Sequence, residues 1–320
     1  MPTSTEKRCA HCGKEGSKRC LGCLGAPEHQ LGDAGETVYC SKDCQEKGRA
    51  KHKYRCKKLK KRIILFRVGR MLKATVLAYR EVLFPINIKS VELRNGTLCF
   101  DYDTQAGPEL VPFPEGLTDD KNLKEAALMI NQCEAVPHLI SPLARHFFPA
   151  FKPMALIRFD LDVIPVIPVQ MSKELEWDPM HTILKVILKD ESWALDLTGR
   201  QYGYPEYIQP WGQYLEKKWR KRGAASLQCI GPYRMADEMG DLDEVFRLTA
   251  ARPGIWIFRN ATDRFARRHF QAFAKSRFNE LSAKELLRGT DEEFDKKVGE
   301  FAGEVKALMT KFMQNFEQIP

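Results

Sequence analysis

Two short stretches decide how this chain is read: Tyr39-Cys40-Ser41-Lys42-Asp43-Cys44-Gln45 and, a little further on, His52-Lys53-Tyr54-Arg55-Cys56. Working outward, Cys9, Cys12, Cys20 and Cys23 precede them, so that seven of the ten cysteines fall within the first 56 residues, with His52 in phase with the last of them. The pattern is C-x2-C-x7-C-x2-C-x16-C-x3-C-x7-H-x3-C, eight donors and therefore two tetrahedral sites. Zinc takes four Cys or His donors, and short C-x2-C and H-x3-C hooks let one turn of backbone aim two of them at one ion. Residues 1–56 have almost no apolar core, and metal binding supplies the folding free energy that such a segment lacks. A disulfide framework is the weaker reading, because the N-terminus carries no secretory signal and the last donor pair contains a histidine.

The Y-C-S-x2-C-Q and H-K-x2-C segments resemble the MYND-type zinc finger over residues 9–56. The resemblance implies an interleaved ligand set: Cys9, Cys12, Cys40 and Cys44 for one zinc, Cys20, Cys23, His52 and Cys56 for the other. His11, between two ligands, matches no ligand position and reads as an exposed loop histidine. The Cys23–Cys40 connection is long and holds Gly25, Pro27, Gly32 and Gly35, the composition of an added surface loop. Arg49 stands where MYND fingers that bind proline-rich peptides carry a tryptophan, while Ser41 and Gln45, associated with the same groove, are present. Proline packs on a flat aromatic face; an arginine offers a stem and a charge, which points to acidic partners.

Charge is unevenly placed. Residues 1–70 hold 18 Lys and Arg against 7 Asp and Glu, a net +11, and the rest of the chain carries −2. Seven thiolates and two zinc ions would lower the first figure to about +8. The run Lys57-Lys58-Leu59-Lys60-Lys61-Arg62 resembles a short nuclear-localisation signal, but reads first as the solvated face of a helix leaving the finger. No aromatics are interleaved with it to stack on bases, which argues against nucleic acid. No apolar run has the length of a membrane span, and zinc-bound reduced cysteines fit the nucleus or cytoplasm.

Beyond the finger, helical spacing of apolar residues predicts a helix over 57–83, ending before Pro85. Val91–Phe100 alternates around Asn95-Gly96, the signature of a hairpin with a type I′ turn. Pro108, Pro112 and Pro114 mark a loop. Helices are expected over 119–132, with Leu123, Ala127, Met129 and Ile130 facing the core, and over 137–148. Strands follow at 154–162, 182–188 and 192–197, and residues 198–210 read as an ordered surface loop packed by its aromatics. The last third is helical. Thr290-x-x-Glu293 after Gly289 is a capping box. The seam Phe294, Val298, Phe301, Val305, Leu308 and Phe312 is expected to pack on the chain's own core, with self-association through this helix as the alternative.

A second constellation lies in the middle. His181 and Asp196 open and close the two strands joined at Lys189-Asp190-Glu191, where an imidazole can meet a carboxylate across the hairpin. Cys133 precedes a helix, and a helix N-terminus favours thiolate. That order of cysteine, histidine and carboxylate over residues 130–200 resembles the core of papain-like and transglutaminase-like cysteine enzymes, and implies Cys133 as nucleophile, His181 as base and Asp196 as its orienter. Asn131-Gln132-Cys133 lacks the glycine and aromatic surroundings such a nucleophile usually has, and Glu134 beside the thiol opposes its ionisation. Each residue also has an ordinary role: a buried thiol, a turn histidine after Pro179, an Asx turn onto Thr198 and Gly199. A SET-type methyltransferase is set aside, because no N-H-x-x-x-P-N-like segment occurs and no strand region precedes the finger.

The fold expected is α+β: a small double-zinc, cross-braced finger (9–56), a connecting basic helix (57–84), a mixed helix and antiparallel-sheet domain (85–260) and a helical C-terminal segment (261–320). The function expected is that of an intracellular adaptor recruiting protein partners through the finger. The alternative is a cysteine-dependent hydrolase or acyl transferase.

Overall fold

The helix expected from residue 57 begins 15 residues earlier, inside the finger. In the computed structural model, which describes residues 7–84, 88–102, 111–167, 169–171, 180–223, 226–233 and 255–316, helix α1 runs Lys42–Val82. Ser41 starts it, its hydroxyl accepting from the Cys44 amide at 3.1 Å, which satisfies one of the donors every helix N-terminus leaves open. The sequence pattern missed this start because Lys42–Arg55 has a metal-ligand rhythm and no apolar stripe. The chain divides into two compact units, residues 1–67 and 68–320, with the division inside α1.

The first unit pairs β1 (Lys18–Arg19) with β2 (Val38–Tyr39) antiparallel. Val38 and Tyr39 are buried beside Cys9 and Cys23, a core too small to fold such a segment by apolar burial alone.

In the second unit, β3 (Ile88–Arg94) and β4 (Thr97–Tyr102) form the expected hairpin, with Asn95 at φ +52° and Gly96 at φ +77°. These are the positive angles a type I′ turn demands. β6 (Val169–Met171) joins β4 in parallel to complete a three-stranded sheet. Helix α2 (Lys121–Met129) starts at Asp120, whose carboxylate accepts from the Asn122 and Leu123 amides. It packs Ala126, Ala127 and Leu128 into the cluster of Phe84, Phe100 and Phe113. Helix α3 (Ala135–Phe147) opens two residues before the expected start.

A five-stranded antiparallel sheet runs β10-β5-β7-β8-β9, with β5 Ala155–Asp162, β7 Met180–Leu188, β8 Glu191–Leu195, β9 Ile208–Pro210 and β10 Leu227–Pro232. Residues 198–210 are not a surface loop. They hold a 3-10 turn at Gly199–Tyr202 and strand β9, and Tyr202 and Tyr204 are buried with Tyr214 of helix α4 (Trp211–Lys218). Hydroxyl bonds from Tyr202 to the Met180 carbonyl and from Tyr204 to the Ile164 carbonyl satisfy their polar ends, which is the condition for burying tyrosine.

Helices α5 (Ile255–Glu280), α6 (Ala283–Leu286) and α7 (Asp291–Phe316) close the chain. Thr290 and Glu293 make the capping box in both directions. Phe294, Phe301, Val305 and Phe312 are buried, with Phe301 against Phe147 and Phe273, so the seam packs internally. The loop expected around Pro108 lies outside the described residues.

Candidate functional sites

Two turns aim the first four cysteines. Cys9 and Cys12 flank a tight bend closed by the Gly13 amide on the Cys9 carbonyl at 3.0 Å, and Cys20 and Cys23 flank another closed by Cys23 on Cys20 at 3.3 Å. Strand β2 then interleaves them: Ala10 donates to the Val38 carbonyl and Cys20 to the Thr37 carbonyl. Cys40 follows β2, and α1 supplies Cys44, His52 and Cys56. His52 and Cys56 share a face because they are four residues apart.

The result is the expected pair of groups, Cys9, Cys12, Cys40, Cys44 and Cys20, Cys23, His52, Cys56, each with its donor atoms within 4.8 Å of one another. Their edges fit a zinc tetrahedron. Sγ–Sγ separations are 3.5 Å for Cys12–Cys40, 3.4 Å for Cys40–Cys44 and 3.8 Å for Cys20–Cys56, and Cys23 Sγ lies 3.4 Å from His52 Nε2. A Zn–S bond of about 2.3 Å sets a tetrahedral edge of about 3.8 Å. The thiols also crowd one another electrostatically. Burial and the neighbouring Cys20 and Cys56 push Cys23 up to about 12. Hydrogen bonds with Cys44 and Cys12, and burial, do the same to Cys40. Four thiolates in one group, or three with an imidazole in the other, need a cation to hold them together, and both groups are consistent with zinc binding. His11 is exposed and belongs to neither.

The long Cys23–Cys40 connection is held down by two arginines of α1. Arg55 donates to Thr37 Oγ1 and to the Asp33 and Gly35 carbonyls. Arg62, 1% exposed, makes a forked pair with Asp33 at 2.6 and 2.7 Å and also reaches the Pro27 carbonyl. Arg62 therefore leaves the solvated basic run in which the sequence placed it. Burial opposes charge on Asp33, but the Arg62 guanidinium and the His29 amide outweigh it and hold the carboxyl down at about 2.

The second constellation also comes together. β7 pairs with β8 in the register Leu184↔Leu195; extending that register puts Asp196 opposite Ile183 and one diagonal step from His181. His181 Nε2 lies 2.8 Å from Asp196 Oδ1, with both side chains fully buried. Asp196 also accepts from the Thr198 amide (3.3 Å) and the Tyr214 hydroxyl (2.8 Å). Gly199 makes room for it, since a Cβ there would stand 2.4 Å from Asp196 Oδ2. Lys218, almost fully buried, lies over the Tyr204 and Tyr214 rings, and its charge helps keep Asp196 ionised. Burial pushes the His181 imidazole down; the Asp196 charge and hydrogen bond, joined by Cys133, reverse this and raise it to about 9. The other ring nitrogen, Nδ1, is buried without a hydrogen-bond partner. Cys133 sits half-buried at the start of α3, its thiol directed 3.9 Å from the Met180 carbonyl, the neighbour of His181.

The sequence missed Tyr202, Tyr214 and Lys218 as members of this cluster. Tyr202 and Tyr204 could have been suspected from their aromatic loop. Lys218, in Glu216-Lys217-Lys218-Trp219, has the appearance of a solvated lysine.

Residues 9–56 match the MYND finger family model. No curated protein and no solved structure matches the chain. The papain-like resemblance of residues 130–200 thus gains no support from comparison; the geometry shows the His181–Asp196 pair, with the Cys133 thiol turned to the Met180 carbonyl.

Proposed function

We propose that the protein is a zinc-dependent adaptor that recruits protein partners through its MYND finger, with two structural zinc ions held by the eight named donors. The observation carrying this reading is the convergence of all eight donors into two tetrahedron-sized groups within the segment that matches the family. When bound, zinc supplies the folding free energy of the finger. The residues then have separate tasks: Tyr39 fills the space beneath α1, and Gly48 lets it, since a Cβ would stand 2.9 Å from the ring.

The recognition surface is cationic and lies on the finger's part of α1. Lys47, Arg49, Lys51 and Lys53 are exposed along it, Lys47 with Lys51 and Arg49 with Lys53 sharing a side of the helix, and Leu21, Leu31 and Tyr54 offer apolar contacts on the same unit. Such a surface favours acidic segments carrying an occasional apolar side chain, with salt weakening the encounter. A reducing compartment, nucleus or cytoplasm, suits thiolate ligands. Among the described residues no helix is long and apolar enough to cross a membrane.

The test is fluorescence anisotropy of labelled acidic and neutral proline-rich peptides against the zinc-loaded full chain. Acidic peptides should bind, more weakly as salt rises, and Arg49→Glu with Lys53→Glu should abolish the binding. Tight, salt-insensitive capture of the neutral proline-rich peptide by the unmutated protein would overturn the acidic preference.

A further inference from the structure

We propose that the second unit binds single-stranded nucleic acid on an aromatic ledge where α4 meets the five-stranded sheet, through Phe159, Trp211 and Trp219 and the cations beside them. The surface lies within residues 68–320, so it rests neither on the finger nor on the finger's partners.

Three observations carry it. The first is how the ledge is built. Trp211, Leu215 and Trp219 recur every four residues and so share one side of α4 and its end. On β5, Phe159 stands opposite Ile183 of β7 and Cys229 of β10, and directly opposed residues lie on one face of a sheet. Helix and strand meet over the buried cluster of Leu161, Ile183, Tyr204 and Tyr214, against which Phe159, Trp211 and Trp219 pack half-buried. The rings are held in place. Phe159 and Trp211 lie 4.9 Å apart between centroids at 51°, and Trp219 Nε1 donates to the Ser226 carbonyl at 2.9 Å.

The second is the charge set beside these rings. Lys185 Nζ lies over the Phe159 ring at 5.9 Å and the Trp211 ring at 4.8 Å, and Lys221 Nζ lies over the Trp219 ring at 5.4 Å. An ammonium is costly to desolvate, so a lysine over a ring marks a ring face that water reaches. The segment Lys217-Lys218-Trp219-Arg220-Lys221-Arg222 sends only Lys218 into the core; Lys217, Lys221 and Arg222 are exposed. Among the described residues, no carboxylate pairs with Lys185, Lys217, Arg220, Lys221 or Arg222, and Glu216 is the one acid in residues 211–222.

The third is the match between that pattern and one class of ligand. Every ring of the ledge has its own cation, as every base of a nucleic acid has its own phosphate. Bases stack on aromatic faces whatever their sequence, while lysines and arginines follow the backbone. A duplex hides its base faces against one another and offers phosphates alone. An acidic peptide engages the cations and leaves the rings idle. A lipid surface calls for apolar side chains that reach into it, whereas these rings are half-buried and overlaid by ammonium groups. The basic run Lys57–Arg62 has cations without rings; this ledge has both.

The experiment titrates the zinc-loaded full chain into a fluorescein-labelled oligothymidine of about 15 nucleotides, a length within the usual range for such surfaces. The same strand paired as a duplex is the comparison, and polyglutamate is the competitor. Anisotropy reports binding, and tryptophan emission reports stacking. The single strand should bind at least tenfold more tightly than the duplex and should quench the emission. Lys221→Glu with Arg222→Glu changes exposed side chains alone. It should weaken binding at least tenfold and lower the slope of log affinity against log salt by about 1.4, two contacts at about 0.7 each. Trp211→Leu should weaken binding at least fivefold, the low end for losing one stacked base, and leave the salt slope unchanged. Equal binding of duplex and single strand, or displacement by polyglutamate at equal affinity, overturns the proposal. So does undiminished binding in the Lys221→Glu, Arg222→Glu protein. Loss of binding in Arg49→Glu with Lys53→Glu moves the oligonucleotide to the finger and overturns it as well.

Discussion

The finger and the hairpin of β7 and β8 both gather titratable side chains, yet they solve opposite problems. In the finger, eight donors lie within 48 residues of chain and stand around sites sized for a cation that must be supplied from outside. In the hairpin, the cation is internal: His181 and Lys218 surround Asp196, and tyrosines and backbone amides complete the shell. One cluster depends on an added ion for its charge balance; the other is balanced by the fold, with His181 Nδ1 and Lys218 Nζ buried without a hydrogen-bond partner. Stability in the first should follow metal activity, and in the second pH and packing.

The largest expected effect follows from metal removal. Structural zinc binding is worth about 10–16 kcal/mol of apparent free energy in finger peptides at neutral pH, more than the stability of most domains. All five tryptophans lie beyond residue 67, so tryptophan fluorescence reports on the second unit alone. A strong chelator should abolish amide-exchange protection over residues 9–56 and leave the tryptophan spectrum unchanged. His52→Ala should release one of two zinc ions by elemental analysis. Collapse of the tryptophan signal on chelation would erase the contrast between the two regions.

Next in size is the break of the buried pair. Removing one partner of a buried ion pair costs about 3–5 kcal/mol, because the other is left charged and unpaired. Asp196→Ala should lower urea stability of the tryptophan-reporting unit by that order and leave the zinc content untouched. The pH dependence has a definite sign. His181 rises from an ordinary 6.5 to about 9 in the folded protein, so its contribution is complete below pH 6.5 and is lost as pH climbs to 9. Asp196 is lowered from 3.8, so its contribution is present above that value and is lost on acidification. The facing Tyr202 and Tyr214 are raised further by burial and stay neutral between pH 4 and 6.5. The unmutated protein should show a stability plateau there, declining toward pH 9, and Asp196→Ala should flatten that decline.

How much of this was visible in the sequence differs between the two regions for a physical reason. Zinc geometry requires donors at fixed short spacings, so the ligand pairs are written locally, and Asn95-Gly96 and Thr290–Glu293 are legible on the same ground. The start of α1 at Lys42 was hidden because ligands, not an apolar stripe, determine its first three turns. His181 and Asp196 could be paired because they flank one hairpin. Their supports could not, since Tyr214 and Lys218 reach the carboxylate from α4, across a segment whose burial no periodicity marks. Arg62 was misplaced for a related reason: a lysine-rich neighbourhood gives no hint that one guanidinium in it turns inward to Asp33.

That ion pair gives the third test, on the finger side of the comparison. Arg62→Ala removes a forked, desolvated pair and should weaken the Cys23–Cys40 connection by about 1–3 kcal/mol, the scale for leaving a buried partner unsatisfied. Amide exchange at residues 27–36 should quicken while both metal sites stay filled. Because Asp33 is lowered from 3.8 to about 2, its contribution is present above pH 3.8 and fades as pH falls toward 2. Zinc ligands lose metal in acid too, so the readout must be exchange at the connection in metal-replete protein above pH 5. Loss of zinc in Arg62→Ala would show that the connection is part of the metal sites themselves.

The smallest effect concerns what the finger touches. Arg49 is exposed on α1, at the position where a flat aromatic would serve a proline-rich segment. An aromatic contact of that kind contributes about 1 kcal/mol beyond area burial, or about fivefold in affinity. Ser41 is already engaged, accepting from the Cys44 amide as the helix cap and hydrogen-bonded to Cys40. Arg49→Trp should therefore raise affinity for a neutral proline-rich peptide by about fivefold, with little salt dependence, and lower affinity for an acidic one. The exchange of a guanidinium for an indole alters neither metal group, so zinc content fixes the comparison. If acidic binding is unchanged by the substitution while proline-rich binding rises, the two peptides occupy different faces of the finger, and the cationic face of α1 is not where acidic partners dock.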